Sequence, residues 1–278
     1  MTTTTTPRDT SAAARPASGS LRRVTALARA EARLLVRNRT ALFNALLLPL
    51  VMVAFFSFVG GAGNGDPVTA ATSVLASLVS LCVLFVVYYN LTTAYVARRE
   101  DRVLQRLLTG ECRRPEILAA AAVPALLVTV AQVLVGYGAV CLLVEPPGLV
   151  NPVLATVGVL GGTLLFTVLA AATSGFSRTV ESTQLTTLPV VVAVLPFAGV
   201  FGPPGATSGV LWDVARFTPL RPVVELVWLG VAGVDADGRT LGLAETFAAA
   251  ALPVGVLAAW TVLGVLAARR WMRWEPRR

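Results

Sequence analysis

The chain has 278 residues, of which 55% are hydrophobic and 14% are charged. Soluble domains carry roughly 25% charged residues, so a soluble fold could not cover this much apolar surface. The composition therefore predicts a membrane protein. The net charge of +8 comes entirely from Arg, because the sequence contains no Lys and no His.

The N-terminal part carries two predicted segments. Residues 1–20 are mostly Thr, Ala, Ser, Pro and Arg, a composition typical of a disordered tail. Residues 21–39 have apolar positions at three- and four-residue spacing with Arg outside that stripe, which predicts an amphipathic helix in the lipid headgroup layer. A soluble amphipathic helix is the alternative. The first apolar run begins near Ala41 and is too long for the apolar part of a signal peptide.

Six apolar runs follow, and most reach the roughly 20 residues that a bilayer requires. They predict an all-α polytopic membrane protein with a six-helix transmembrane domain over 40–268 and a basic cytoplasmic tail over 269–278. The runs lie near 41–60, 70–97, 117–144, 150–174, 184–201 and 246–268. We expect a kink in the fifth run, because Pro189 and Pro196 each lack a backbone donor.

The Arg residues predict the orientation. With six spans, 20 of the 23 Arg fall on the side that holds both termini, and only Arg216, Arg221 and Arg239 fall on the other side. The positive-inside rule then places both termini in the cytoplasm. This distribution accounts for the net charge without a nucleic-acid partner.

Two further patterns concern packing. In the external segment 202–245, Thr218 and Pro219 open a stretch ending near Leu229 that predicts a short amphipathic helix lying at or dipping into the outer leaflet, with an ordered loop as the alternative. Gly158 and Gly162 form a GxxxG spacing, which allows close approach of two helices. We expect that approach within the chain rather than between two copies.

Several kinds of chemistry are excluded. No Asp, Glu, Arg or His lies within the six apolar runs, whereas proton-coupled carriers usually need such groups. The ATP-binding P-loop needs a Lys, so we expect no ATPase activity in this chain. The three Cys are scattered and predict no metal site.

The neutral polar residues within the runs are expected to form hydrogen bonds between helices or to contact a substrate. The candidates for a substrate path are Tyr88, Tyr89, Asn90, Thr186 and Thr187.

The segment after the second run predicts a cytoplasmic amphipathic helix suited to docking on another protein. One face carries four apolar side chains: Val103, Leu104, Leu107 and Leu108. Arg102 and Arg106 are like charges at i and i+4, and an acidic partner or anionic lipid would relieve their repulsion. The pattern predicts Leu104 and Leu107 as apolar anchors. The predicted polar rim is Arg99, Glu100, Arg102 and Arg106. A plain flank of the membrane span is the alternative.

Short motifs carry a resemblance to a known family. They are Arg37-Asn38 before Leu48-Pro49-Leu50, Arg99-Glu100 before Val103-Leu104-Gln105-Arg106-Leu107, and Pro115-Glu116-Ile117-Leu118. In these motifs and in the order of its spans, the chain resembles the permease subunit of type-2 ABC exporters, a family that includes actinobacterial antibiotic-efflux permeases. The chain departs from the family pattern at Arg102, where Gly is usual, and at Thr109-Gly110, where Thr-Pro is usual.

The resemblance implies a division of labour. A separate ABC ATPase subunit would bind ATP and Mg, and this chain would bind no cofactor. Two permease copies, identical or closely related, would form a path lined by spans one, two and five in a bacterial plasma membrane. The neutral path residues favour a hydrophobic or amphipathic cargo such as a drug, antibiotic or lipid. A secondary carrier or channel and a non-transporting membrane anchor are the alternatives.

Overall fold

The computed structural model describes only part of the chain. The described residues are Arg22, 24–30, Arg33, Leu47, Val51, 66–109, 113–143, 148–198 and 210–275, without the side chains of 108, 143 and 210–212. The predicted tail 1–20, the first run 41–60 apart from Leu47 and Val51, and the Arg37-Asn38 motif lie outside them. Residues 24–30 are helical, and their place at the membrane surface stays a prediction.

Helices make up most of what is described. We number them α1 Pro67–Glu100, α2 Val103–Thr109, α3 Arg114–Leu143, α4 Pro152–Ser174, α5 Val180–Val194, α6 Val210–Ala215, α7 Arg221–Val231, α8 Leu243–Ala249 and α9 Ala251–Trp271. Within the described ranges there is no β-sheet, and α1, α3, α4, α5 and α9 are long and apolar enough to cross a membrane. A helical, multi-pass membrane protein is thereby confirmed, while the count of six spans stays a prediction.

Side-chain caps explain where several helices begin. Asp66 and Asn151 accept hydrogen bonds from the backbone of the first turns of α1 and α4, and Pro follows each cap. Thr179 and Ser182 form a capping box, so α5 starts at Val180, four residues before the predicted start of the fifth run. After Val194 the helix tightens into a 3₁₀ turn at Leu195–Phe197, which contains Pro196.

The helices alternate in direction and define two ends of the bundle. At one end, Arg99 of α1 bonds the last residue of α4, and Arg114 of α3 lies over the ring of Trp274 after α9. We call this the Arg-rich end, because the loops that hold most Arg residues lie there. At the other end, Asn151 before α4 bonds Thr246 of α8. We call this the Arg-poor end.

Helix α7 differs in part from the prediction. A short helix is present, but it begins at Arg221 rather than near Thr218, and all eleven of its residues are buried, so it packs inside the bundle and does not lie on its surface. Its contacts with α4 run antiparallel: Val223 meets Gly162, and Leu226 meets Gly158. A Cβ on Gly158 would lie 3.1 Å from the Cβ of Leu226. The prediction that this GxxxG packs within the chain is confirmed.

These contacts also give the depth of α7 in the bundle. Gly162 lies ten residues from the start of the 23-residue helix α4, which is about 15 Å and close to half of its length. Trp260, near the middle of α9, donates a 2.7 Å hydrogen bond to the carbonyl of Phe217, just before α7. Helix α7 therefore rises from mid-depth toward the Arg-poor end, as a helix buried in protein can.

An ion pair lies at the deep end of α7. The Arg221 Nε donates to the Glu225 carboxylate at 3.0 Å, and both side chains are nearly inaccessible. The six apolar runs contain no Asp, Glu, Arg or His, as the sequence shows, but this pair still lies among the candidate spans of the folded chain. The reason is that residues assigned to an external loop fold back between the spans.

Only some of the neutral polar residues within the spans form the predicted hydrogen bonds between helices. Most Ser and Thr hydroxyls within the spans bond the carbonyl four residues earlier in their own helix, as Ser80, Thr92 and Thr163 do. Between spans, the Cys82 thiol donates to the Gln132 side chain, and the Tyr88 and Thr173 hydroxyls lie 3.0 Å apart. Few of these groups therefore fix one span against another.

The packing of α7 on α4 can be tested at Gly230, where an added Cβ would overlap the backbone of Ala155. We expect Gly230→Ala to destabilise the protein by about 1–3 kcal/mol, as overpacking usually does. The measurement is thermal unfolding in detergent. The matched control is Gly255→Ala in α9, where an added Cβ meets nothing within 4 Å. Equal stability of the two variants would contradict the close contact.

Candidate functional site

The Arg-rich end exposes a charged surface at the turn between α1 and α2. Helix α1 ends at Glu100, and α2 begins three residues later. The exposed charged side chains here are Glu100, Asp101, Arg102 and Arg106, and we call them the elbow surface. Two acidic and two basic groups within seven residues suit a polar partner surface, where charges set register more than affinity.

Arg99 joins this turn to the rest of the bundle. Its side chain is 1% exposed and donates to the carbonyls of Ser174 at 2.9 Å and Ser177 at 2.6 Å, with a 3.3 Å contact to Arg178. The last carbonyls of a helix lack partners within that helix, and a cation is favourable there. Arg99 therefore ties the end of α1 to the α4–α5 loop. This corrects its assignment to an exposed rim.

The apolar face of α2 points into its own chain. Leu104 is 0% exposed and belongs to the hydrophobic core, and Leu107 is half-buried against that core. Val103 is also half-buried, and the side chain of Leu108 lies outside the described atoms. The expectation that Leu104 anchors a partner is corrected, because its surface is already covered. Leu104→Asp would bury a carboxylate and cannot separate docking from folding.

The α4–α5 loop, residues 175–179, lies beside the elbow surface through Arg99. Phe176 is 53% exposed, and its ring lies edge-on to Trp271 at 5.3 Å. Gly175 packs directly against the Trp271 carbonyl, where a Cβ would not fit. Arg178 is exposed at the same loop. The loop is thus held by Arg99 on one side and by the end of α9 on the other.

The turn contains one residue in a left-handed backbone conformation. Arg102 has φ of 58°, in the left-handed region that Gly adopts without a steric penalty. The family that the chain resembles usually has Gly at this position. The backbone therefore keeps the shape that Gly would allow, while the Arg side chain adds a charge to the elbow surface.

The candidate path residues of α1 occupy three different environments. Tyr88 is fully buried, bonds Thr173 and lies edge-on to Phe166 of α4, so it packs inside the chain instead of facing a path. Tyr89 is half-buried and Asn90 is exposed. A role in cargo contact stays a prediction for Tyr89 and Asn90.

The candidate path residues of α5 are satisfied by their own helix. The Thr186 hydroxyl donates to the Ser182 carbonyl at 2.9 Å, and the Thr187 hydroxyl donates to the Thr183 carbonyl at 2.9 Å. Thr186 is half-buried, whereas Thr187 is 1% exposed. Of the two, only Thr186 presents surface to a path in this structure.

Two features of the structure were not predicted from the sequence. Residues Cys82–Tyr89 form a π-helical segment directly before Asn90, and such segments are frequent at functional sites. The signal was the run of β-branched and aromatic residues, which are weak helix formers. The Arg221–Glu225 pair was missed because its helix has only eleven residues, too few for a span.

Comparison with known proteins identifies one family. Residues 22–229 match the family described as ABC-2 type transporter. This match covers about three quarters of the chain and includes α1 through most of α7. No curated protein matches the chain.

The left-handed turn predicts opposite effects of two Arg-to-Gly changes. We expect Arg102→Gly to stabilise the protein by about 1 kcal/mol, because a left-handed backbone disfavours residues with a Cβ. Arg106→Gly is the matched control inside α2 and should cost about 1 kcal/mol, because Gly is a poor helix former. Thermal unfolding in detergent measures both. Destabilisation of similar size in both variants would contradict the left-handed turn.

Proposed function

The chain belongs to the ABC-2 type transporter family and is thus a membrane component of an ABC transporter, and we propose that it is the permease subunit of an ATP-driven exporter. A separate ABC ATPase subunit binds ATP and Mg and drives it. Two permease copies, identical or closely related, enclose the path. The family match over residues 22–229 is the observation that carries this proposal.

The elbow surface is the proposed docking site for the ATPase. It is charged and exposed, and it lies at the end of the bundle where most Arg residues are found. Arg99 connects it to the α4–α5 loop, so a partner pressing on the elbow would also move the end of α4. The exposed Phe176 and Arg178 extend the docking site onto that loop.

The Arg-rich end is the proposed cytoplasmic end of a protein in the bacterial plasma membrane. The positive-inside rule supports this orientation. The remaining Arg residues support it as well. Arg216 and Arg239 bond Asp237, while Arg221 bonds Glu225, so the positive charge of each is balanced locally by a carboxylate.

The proposed cargo is a hydrophobic or amphipathic molecule, such as a drug, an antibiotic or a lipid. Support comes from Tyr89, Asn90 and Thr186, the path candidates that keep exposed surface and carry no charge. The second half of α1 packs against α5, which brings the helices carrying these residues together. An uncharged polar surface suits a cargo that is not a polyanion.

The Arg221–Glu225 pair bears on the alternative of a secondary carrier. Intramembrane ionisable groups are typical of proton-coupled carriers, so one sequence argument against that class is lost. The pair is internally neutral and hydrogen-bonded, which is also what a purely structural pair requires. The family match therefore favours the ATP-driven exporter over the carrier and over a non-transporting anchor.

The docking proposal predicts a salt-dependent loss of ATPase binding on charge reversal. We expect Arg102→Glu with Arg106→Glu to weaken pull-down of the ATPase by about tenfold at low ionic strength, since each exposed ion pair is worth up to about 1 kcal/mol. The difference should shrink at high salt. The control is Arg269→Glu with Arg270→Glu, the same charge change on exposed residues of α9. Membrane insertion is checked for both variants, and an equal loss in the two would remove the elbow surface as the docking site.

The proposed orientation predicts which side of the membrane exposes the turn between α7 and α8. Thr240→Cys in a Cys-free background should react with a membrane-impermeant maleimide added outside intact cells, because Thr240 is exposed and this turn lies at the Arg-poor end. A Cys replacing Gln105 in α2 should react only after the membrane is opened. The reverse pattern would invert the topology.

A further inference from the structure

An elongated apolar cavity lies between α1, α3, α4 and α7, near the Arg-poor end. Its volume is about 340 Å³, within the range of small-molecule sites. Its walls include Leu75, Val79, Val133, Val159 and Val227, and the only polar side chains among its lining residues are Tyr137 and Thr156. With no charged group in its lining, the cavity suits hydrocarbon and not a charged headgroup.

The length of the cavity matches one leaflet of a bilayer. Its lining runs along α4 from Pro152 to Leu160 and along α3 from Val130 to Tyr137. At 1.5 Å per residue these stretches are about 12 Å and about 10 Å long, against a half-thickness of about 15 Å for the hydrocarbon core. Because α3 and α4 are spans, the cavity extends along the membrane normal within the leaflet at the Arg-poor end.

The cavity continues the lipid-facing surface. Leu134 of α3 and Leu160 of α4 line it and are 66% and 45% exposed. Both belong to helices that are long and apolar enough to span the membrane. The mouth of the cavity is therefore an apolar surface on two candidate spans.

We propose that this cavity binds one acyl chain of a phospholipid from that leaflet, which is the outer leaflet in the proposed orientation. The headgroup stays at the membrane surface, above the start of α4, while the chain fills the apolar space down to mid-depth. Filling the cavity restores dispersion contacts that its lining otherwise lacks. The site does not depend on an ATPase partner.

The bound chain also supports α7. Val227 and Val231 form one wall of the cavity, on the same short helix that carries the Arg221–Glu225 pair. The adjacent face of α7 packs on α4 through glycines and has no room to move closer. The acyl chain thus fills the remaining space beside α7 and holds this helix against the spans.

The test compares lipid retention by the full-length chain purified from membranes containing palmitoyl-oleoyl phosphatidylethanolamine. Val159→Trp places a large side chain in the cavity. Val153→Trp is the matched control, because Val153 lies on the same helix, is 57% exposed and does not line the cavity. We expect native mass spectrometry to find a single retained phospholipid on the wild type and on Val153→Trp, and none on Val159→Trp. Added phospholipid should raise the Tm of the first two only.

A second variant and three other outcomes also test whether an acyl chain occupies the cavity. Thr156→Phe, at an exposed lining position, provides a second blocking variant if Val159→Trp does not fold. Equal lipid retention by blocking and control variants, or none by the wild type, would overturn the proposal. A disulfide between Val159→Cys and a Cys placed within 41–60 would show that the first apolar run occupies the cavity. Lipid that leaves only while a bound ATPase hydrolyses ATP would identify cargo instead.

Discussion

The packing of α7 against α4 is the constraint on which the rest of the bundle depends. A bilayer offers no water to backbone groups, so a short helix at mid-depth needs protein on all sides. Gly158 and Gly162 of α4 and Gly230 of α7 bring the two backbones close enough to provide it. A carbon at any of the three would push α7 toward α1 and α9, which pack on its other sides.

The spans could be predicted from the sequence because each is a long apolar run, and several starts follow from caps such as Asp66 and Asn151. The buried position of helix α7 could not be predicted in the same way, because a stretch of eleven residues that contains an Arg and a Glu is typical of a surface helix. Its position depends on contacts with α4, roughly 60 to 75 residues away in the chain. The glycine spacing in α4 was the one local signal of that contact, and it predicted a neighbour without identifying it.

The turn between α1 and α2, which is cytoplasmic in the proposed orientation, could be located from the sequence. Which of its side chains are buried in the chain itself could not. Periodicity correctly grouped Leu104 and Leu107 on one face of α2, yet it could not tell a partner's surface from the chain's own core. Arg99 was predicted to be exposed, because charged side chains usually lie at the protein surface. Its burial depends on carbonyls at the end of α4, 75 and more residues away, which no local pattern reports.

Helix α4 connects the two ends in the proposed mechanism. Its last carbonyl accepts from Arg99, while its first half carries α7 and one wall of the apolar cavity. With 23 residues, α4 is about 35 Å long and moves as a rigid rod more easily than it bends. A tilt imposed at the elbow surface would therefore displace α7 and change the space beside it. Because α7 holds a neutral pair and not a lone charge, such a shift moves no net charge through the membrane.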